Sequence, residues 1–166
     1  MALADAVTLI GLFFGIASIF LSLNGLFVYA AVAILFGLIL DALDGYVARA
    51  MKRTGEFGVQ LDSLSDAVVF GVAVAIFGYA IGLSSLLSMA ILAFFVACGL
   101  LRLARFNITK NTTKGEYFEG LPIPANTVIP FLFLALRYFA INIEYMLVIY
   151  LISAMLMISG IRVKKI

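Results

Sequence analysis

Read as a succession of apolar and polar positions, the chain divides into six long apolar runs, at residues 6–23, 26–48, 59–82, 85–106, 124–141 and 144–161. About 20 apolar residues of helix cross a hydrocarbon core, so each run predicts one membrane-spanning helix. Between them lie Ser22 to Gly25, Met51 to Gly58, Gly82 to Ser85, Asn107 to Pro122 and Ala140 to Ile143, of which only the second and fourth are long enough to build a site. The expected fold is therefore all-α. It is a polytopic membrane protein with six transmembrane helices, forming a single membrane-embedded domain over residues 1–166. Gly11, Gly15, Gly71, Gly78 and Gly99 permit close helix packing. Met155, Met157 and the Phe-rich stretches read as lipid-facing or core residues.

Composition agrees: 65% of residues are hydrophobic and 12% charged, with a mean hydropathy of +1.20, far outside the range of soluble domains. The first apolar run has no charged leader or small-residue cleavage site before it, so it reads as a retained span. Charge placement then sets an orientation. Arg49, Lys52 and Arg53 follow the second run, Arg102, Arg105, Lys110 and Lys114 surround the end of the fourth, and Arg162, Lys164 and Lys165 close the chain. By the positive-inside rule that side is cytoplasmic, which puts both termini and the two long connections there and the protein in the cell membrane as a multi-pass protein. Arg137 stands alone on the other side, where it could snorkel outward or pair with Glu144.

Two absences narrow the chemistry. With a single cysteine, Cys98, no intrachain disulfide can form, and a packed, reduced thiol is expected. With no histidine, acid–base work falls to carboxylates, Lys, Tyr or that cysteine.

Four of the nine acids fall in one stretch, Asp41 and Asp44 at the end of the second run, Asp62 and Asp66 near the start of the third. Residues three or four apart share a helix face, so each pair presents two carboxylates together. The short connection brings the two helix ends side by side and gathers all four on one pocket just inside the membrane. An ionised Asp costs roughly 2.5 to 3.5 kcal/mol at mid-span on insertion scales, less near the interface, and four in one pocket also repel one another. A positive partner is required, and hard divalent cations with oxygen ligands answer it, two of them balancing four carboxylates. Arg49, about a turn and a half beyond Asp44, can hold a phosphate or carboxylate. Gly45, Gly58 and Ala48 keep side chains away from the pocket, leaving room for a flat base or a pyrophosphate. For any one of these acids, a helix-capping or charge-neutralising role beside Lys52 or Arg53 would suffice; for the full set, function is the default reading of intramembrane carboxylates.

The pattern D-x-x-D-G-x-x-A-R-x8-G-x-x-x-D-x-x-x-D is met at every specified position from Asp41 to Asp66. It resembles the signature of the CDP-alcohol phosphatidyltransferases, and the six-span layout is similar over essentially the whole chain. The resemblance implies transfer of a phosphatidyl-type group from a CDP-activated lipid to an alcohol, with release of CMP. It also implies two divalent ions, Mg2+ or Mn2+, held by Asp41, Asp44, Asp62 and Asp66, with Asp66 also the base that deprotonates the incoming hydroxyl. Asp44, Gly45, Ala48, Arg49, Gly58 and Thr8 would line the CDP site, and a homodimer is expected. No nucleic-acid partner is implied.

Outside the signature, Arg102-Leu-Ala-Arg105-Phe-Asn107 and Gly120-Leu-Pro122-Ile-Pro124-Ala125 resemble runs of the phosphatidylserine synthase branch. Asp5-Ala-Val-Thr8-Leu9 is similar to that branch too, with Gly11 where an asparagine is expected. The acceptor implied is L-serine, contacted by Arg102, Arg105, Asn107, Gly120 and Pro122. Arg105 is preferred for its carboxylate because bidentate arginine contacts suit that shape. Positive-inside anchoring would account for both arginines, helix capping for Asn107, and stiffening of a chain re-entering the membrane for the prolines. Glu116, Glu119, Lys110 and Lys114 share the loop between these runs. Glycerol 3-phosphate or an inositol phosphate is the alternative acceptor, and an ion-coupled transporter the alternative of another class.

Overall fold

The computed structural model describes residues 3–50, 56–112, 117–139, 142–159 and 162–164, with side chains described except at 3, 48–50, 109–112, 117–119 and 162–164. Helix α1 (Leu3–Leu23) turns through Gly25, at φ +73°, into α2 (Phe27–Ala50). The turn is closed by Asn24, whose Nδ2 donates to the Phe20 carbonyl at 2.7 Å. A third rod, Glu56–Ala80, consists of α3 (Glu56–Asp66), a wide π-helical turn (Ala67–Val72) and α4 (Ala73–Ala80). After Gly82, at φ +120°, comes α5 (Leu86–Thr112). It is capped by Ser85, whose Oγ accepts from the Ser88 backbone N–H at 3.1 Å. Strand β1 (Tyr117–Glu119), a 3-10 turn (Ile123–Thr127), α6 (Val128–Tyr138), α7 (Tyr145–Ile158) and β2 (Arg162–Lys164) complete the described chain.

The fold is helical, and Ala4–Leu23, Phe27–Val47, Glu56–Ala80 and Leu86–Ile108 are each long and apolar enough to cross a membrane. The last two apolar runs form shorter helices, Ile123–Tyr138 and Tyr145–Ile158. At 1.5 Å per residue, α7 with its 14 residues reaches about 21 Å, short of a ~30 Å hydrocarbon core. Two segments depart from the all-α expectation: β1 and β2 pair antiparallel, Tyr117 with Lys164, Phe118 with Val163 and Glu119 with Arg162. The pairing joins residues far apart in sequence, which helical periodicity cannot report. Large apolar side chains face outward along the bundle, among them Phe13, Phe20, Leu86, Leu100 and Met155. Such an exterior needs lipid, and the protein is membrane-embedded.

Inside, Phe27, Phe77 and Phe133 meet edge to face, with ring centroids 5.5 to 5.7 Å apart, and Phe95 meets Tyr150 at 5.2 Å. Cys98 is buried, as its apolar run suggests. Met157 belongs to the core and Met155 is exposed. Arg137 lies with its guanidinium 6.0 Å from the Phe27 ring centroid. Several close approaches depend on glycine, among them those at Gly15, Gly37 and Gly120. A Cβ at Gly15 or Gly37 would stand 2.6 or 2.7 Å from a methyl of Val69, so α1 and α2 together form a notch that receives the wide turn. A Cβ at Gly120, where φ is +77°, would stand 2.5 Å from the Met157 carbonyl oxygen. Leu121 N–H donates to Leu156 O at 3.1 Å, so this loop closes off the end of α7. Gly120→Ala is expected to lower the apparent Tm in detergent, with backbone strain alone costing about 1–3 kcal/mol. An unchanged Tm would mean that the loop moves away freely.

Candidate active site

The aspartates reach one cleft because three rods converge there. α2 brings Asp41 and Asp44 one turn apart near its end, α3 brings Asp62 and Asp66 one turn apart, and α1 lies across both. Thr8, Gly11, Gly37, Asp41, Asp44, Asp62, Ser65, Asp66, Val69 and Phe70 line the cleft. One carboxylate oxygen from each of Asp41, Asp62 and Asp66 lies within 4.8 Å of the other two. Ligands at 2.1 to 2.4 Å from one ion stand at most about 4.2 to 4.8 Å apart, so this all-oxygen set fits a hard divalent cation.

Asp44 is outside that group of three. It is buried, and its Oδ2 accepts from the Thr8 hydroxyl at 2.6 Å. The same hydroxyl lies 3.1 Å from the Ala4 carbonyl, its own preceding helical turn, so its single proton chooses between an amide oxygen and a carboxylate. The shorter, charge-assisted contact orients Asp44. Thr8→Val keeps the shape and removes this donor, a loss of about 1.5–3 kcal/mol for a bond to a charged group. Mn2+ titration of the variant should show weaker binding than wild type, and equal affinity would mean that Asp44 holds its position unaided.

Arg102 supplies positive charge from α5. It is 8% exposed, within electrostatic reach of Asp66, with its guanidinium carbon 5.3 Å from the centroid of the Phe106 ring. Its Nε is buried without a hydrogen-bond partner. Arg105, one turn further on, is exposed. Asn107 donates from Nδ2 to the Ser63 hydroxyl at 2.9 Å, tying the end of α5 to α3 beside Asp62. Gly120 and Pro122 stand apart from the cleft lining, Gly120 against α7 and Pro122 at the start of the 3-10 turn.

Among the remaining candidates, Gly45 faces open space, with nothing within 4 Å of where a Cβ would stand. A Cβ at Gly58 would come 3.3 Å from Asp5 Oδ1, so the start of α1 lies against the start of α3. Ala48 and Arg49 belong to the last turns of α2, their side chains outside the described residues, as is that of Lys110 in α5. Lys52, Arg53, Lys114 and Glu116 lie outside the described residues altogether. Sequence reasoning did not single out Ser63, Ser65, Gly37, Val69 or Phe70. Ser63 and Ser65 lie between the two aspartates of α3, and polar residues inside an apolar run were the signal available for them.

A helical, lipid-embedded bundle with an acidic cleft where three rods meet is the architecture of an integral membrane protein whose clustered carboxylates could hold a metal ion. The chain belongs to the CDP-alcohol phosphatidyltransferase family, whose model matches residues 1–161. Among curated proteins it is 48% identical over 103 residues to the CDP-diacylglycerol–serine O-phosphatidyltransferase of Saccharomyces cerevisiae, covering 58% of this chain and 37% of that protein. It is 44% identical over 120 residues to the enzyme of the same name from Helicobacter pylori, covering 71% of this chain and 51% of the relative. With the archaetidylserine synthase of Methanothermobacter thermautotrophicus it shares 39% over 131 residues, 77% of this chain and 55% of the relative. The chain spans about half the length of the curated relatives it matches, and less of the yeast protein.

Proposed function

We propose that the protein transfers a phosphatidyl-type group from a CDP-activated lipid to L-serine, releasing CMP and leaving a phosphatidylserine-type lipid, with a diacyl or an archaeal ether-lipid donor. The observation that carries this reading is the set of three carboxylates within 4.8 Å of one another, with buried Arg102 within electrostatic reach of Asp66. The serine acceptor is supported by relatives named as serine transferases and archaetidylserine synthase.

Asp41, Asp62 and Asp66 would hold divalent ions, Mg2+ or Mn2+, and Asp44 would join them for a second ion. Bound there, the ions would neutralise the charge that grows on the departing nucleotide phosphate. Asp66 takes the proton of the serine hydroxyl as its oxygen bonds to the lipid-side phosphorus, and the phosphorus–oxygen bond to CMP breaks. Arg102 receives the serine carboxylate. Its burial and its Nε without a partner favour it over exposed Arg105 for that contact. Asn107, through Ser63, steadies the end of α5 on which Arg102 stands. Thr8 aims Asp44, and Gly45, Ala48, Arg49 and Gly58 make room for and bind the CDP moiety. The whole forms one domain of six membrane-crossing segments, both termini cytoplasmic, acting as a homodimer in the cell membrane with its cleft open to the cytoplasm. The excess of Lys and Arg at one side supports that orientation.

Glycerol 3-phosphate or an inositol phosphate would need further phosphate-binding cations at the cleft. An ion-coupled transporter would spread its acids across the membrane depth, whereas these gather in one place. Purified protein given CDP-lipid, Mn2+ and each alcohol in turn tests the reading, with the lipid product identified by mass spectrometry. CMP release that requires serine and yields a serine lipid is expected; release indifferent to serine would sink the acceptor.

A further inference from the structure

Asn126 lies outside the cleft, yet it grips the backbone that shapes it. The residue is 1% exposed, in the 3-10 turn before α6. Its Nδ2 is 3.4 Å from the carbonyl oxygen of Phe70 and 3.4 Å from Met157 Sδ, and its Oδ1 accepts from the Ser153 hydroxyl at 2.6 Å. A buried amide without such partners would be costly. Here the expense is met by reaching into the wide turn Ala67–Val72, which begins at the residue after Asp66.

That turn decides where the α3 aspartates face. A π-type turn inserts about one residue into an α-helix, equivalent to about 100° of rotation between the segments on either side. Relaxation to α geometry would have to rotate one of them. α4 is pinned on the far side: Tyr150 donates its hydroxyl to Val74 O at 2.6 Å, its ring packs on Gly78, and Phe77 sits in the aromatic cluster. The rotation would fall on α3, turning Asp62 and Asp66 away from Asp41. Val69, seated in the notch of Gly15 and Gly37, resists this from the cleft side, and Asn126 resists it from behind.

We infer that Asn126, oriented by Ser153, is a positioning residue that holds the wide turn open and thereby keeps Asp62 and Asp66 facing Asp41. The inference rests on the metal-binding part of the proposed function. Mn2+ binding by the full chain in nanodiscs, followed by electron paramagnetic resonance without lipid substrate, tests it alongside Tm. Asn126→Leu is expected to weaken Mn2+ binding about tenfold or more, the range for residues that orient metal ligands. Ser153→Ala should weaken it to a lesser degree. Met146→Ala, a cavity at a buried position near the start of α7 and outside the cleft lining, should lower Tm at least as much as Ser153→Ala while leaving Mn2+ affinity at the wild-type value. A folded Asn126→Leu protein with wild-type affinity would overturn the inference. If that variant does not fold, equal Mn2+ losses in Ser153→Ala and Met146→Ala would overturn it instead. Wild-type protein that binds no Mn2+ would remove the metal reading and the inference with it, an outcome distinct from either.

Discussion

Asp66→Asn should reduce serine-dependent CMP release by about 10^2- to 10^4-fold, the usual contribution of a general base. Asparagine keeps the size of the side chain and an oxygen that can still face a cation, but it cannot accept the serine proton. In a chain without histidine, no imidazole stands ready to replace it. The base role and a ligand role separate by titration. If Asp66 only held metal, saturating Mn2+ would restore the rate of the variant; if it takes the proton, the rate stays low after the metal sites are filled. Asp41→Asn supplies the contrast, since its defect should yield in part to added Mn2+. Single-turnover release of CMP measured across Mn2+ concentrations distinguishes these outcomes, and an Asp66→Asn protein working at the wild-type rate would end the assignment.

Arg102→Met should raise the KM for serine by about 10- to 100-fold, as expected when a charge-assisted contact of about 1.5–3 kcal/mol is lost. Methionine retains much of the apolar stem that packs beside Phe106, so the loss falls on the charged head. Arg105→Met, at an exposed position, should change serine KM little. Steady-state kinetics with serine varied at saturating CDP-lipid compares the two. The reverse ranking would return the carboxylate contact to Arg105. A fall in kcat at unchanged KM would assign Arg102 to Asp66 instead of to the acceptor.

The two variants separate what was legible in the chain from what was not. The Asp41–Asp66 pattern was complete in the sequence, because residues three or four apart on a helix share a face whatever surrounds them. The choice between Arg102 and Arg105 was not. Both belong to the same end of an apolar run, and only the packing of α5 against α7 and the wide turn buries one and leaves the other exposed. Thr8 was singled out by likeness alone; its hydrogen bond to Asp44 bridges 36 positions, a distance over which local spacing carries no information.

The sequence by itself determined a lipid-embedded helical bundle and a carboxylate cluster at the junction of its second and third apolar runs, and of the six spans it predicted the first four form helices long enough to cross a membrane. These follow from hydropathy and from i, i+3 and i, i+4 geometry, which are local properties of the chain. Tertiary structure decided the rest. The wide turn after Asp66 arises where Val69 must enter the Gly15 and Gly37 notch while Asn126 and Tyr150 bond the backbone behind it. The pairing of β1 with β2 joins segments that no helical period relates. The separation of Asp44 from the other three carboxylates depends on which helix each faces. Each is fixed by contacts between distant segments, and such contacts exist only once the helices have packed.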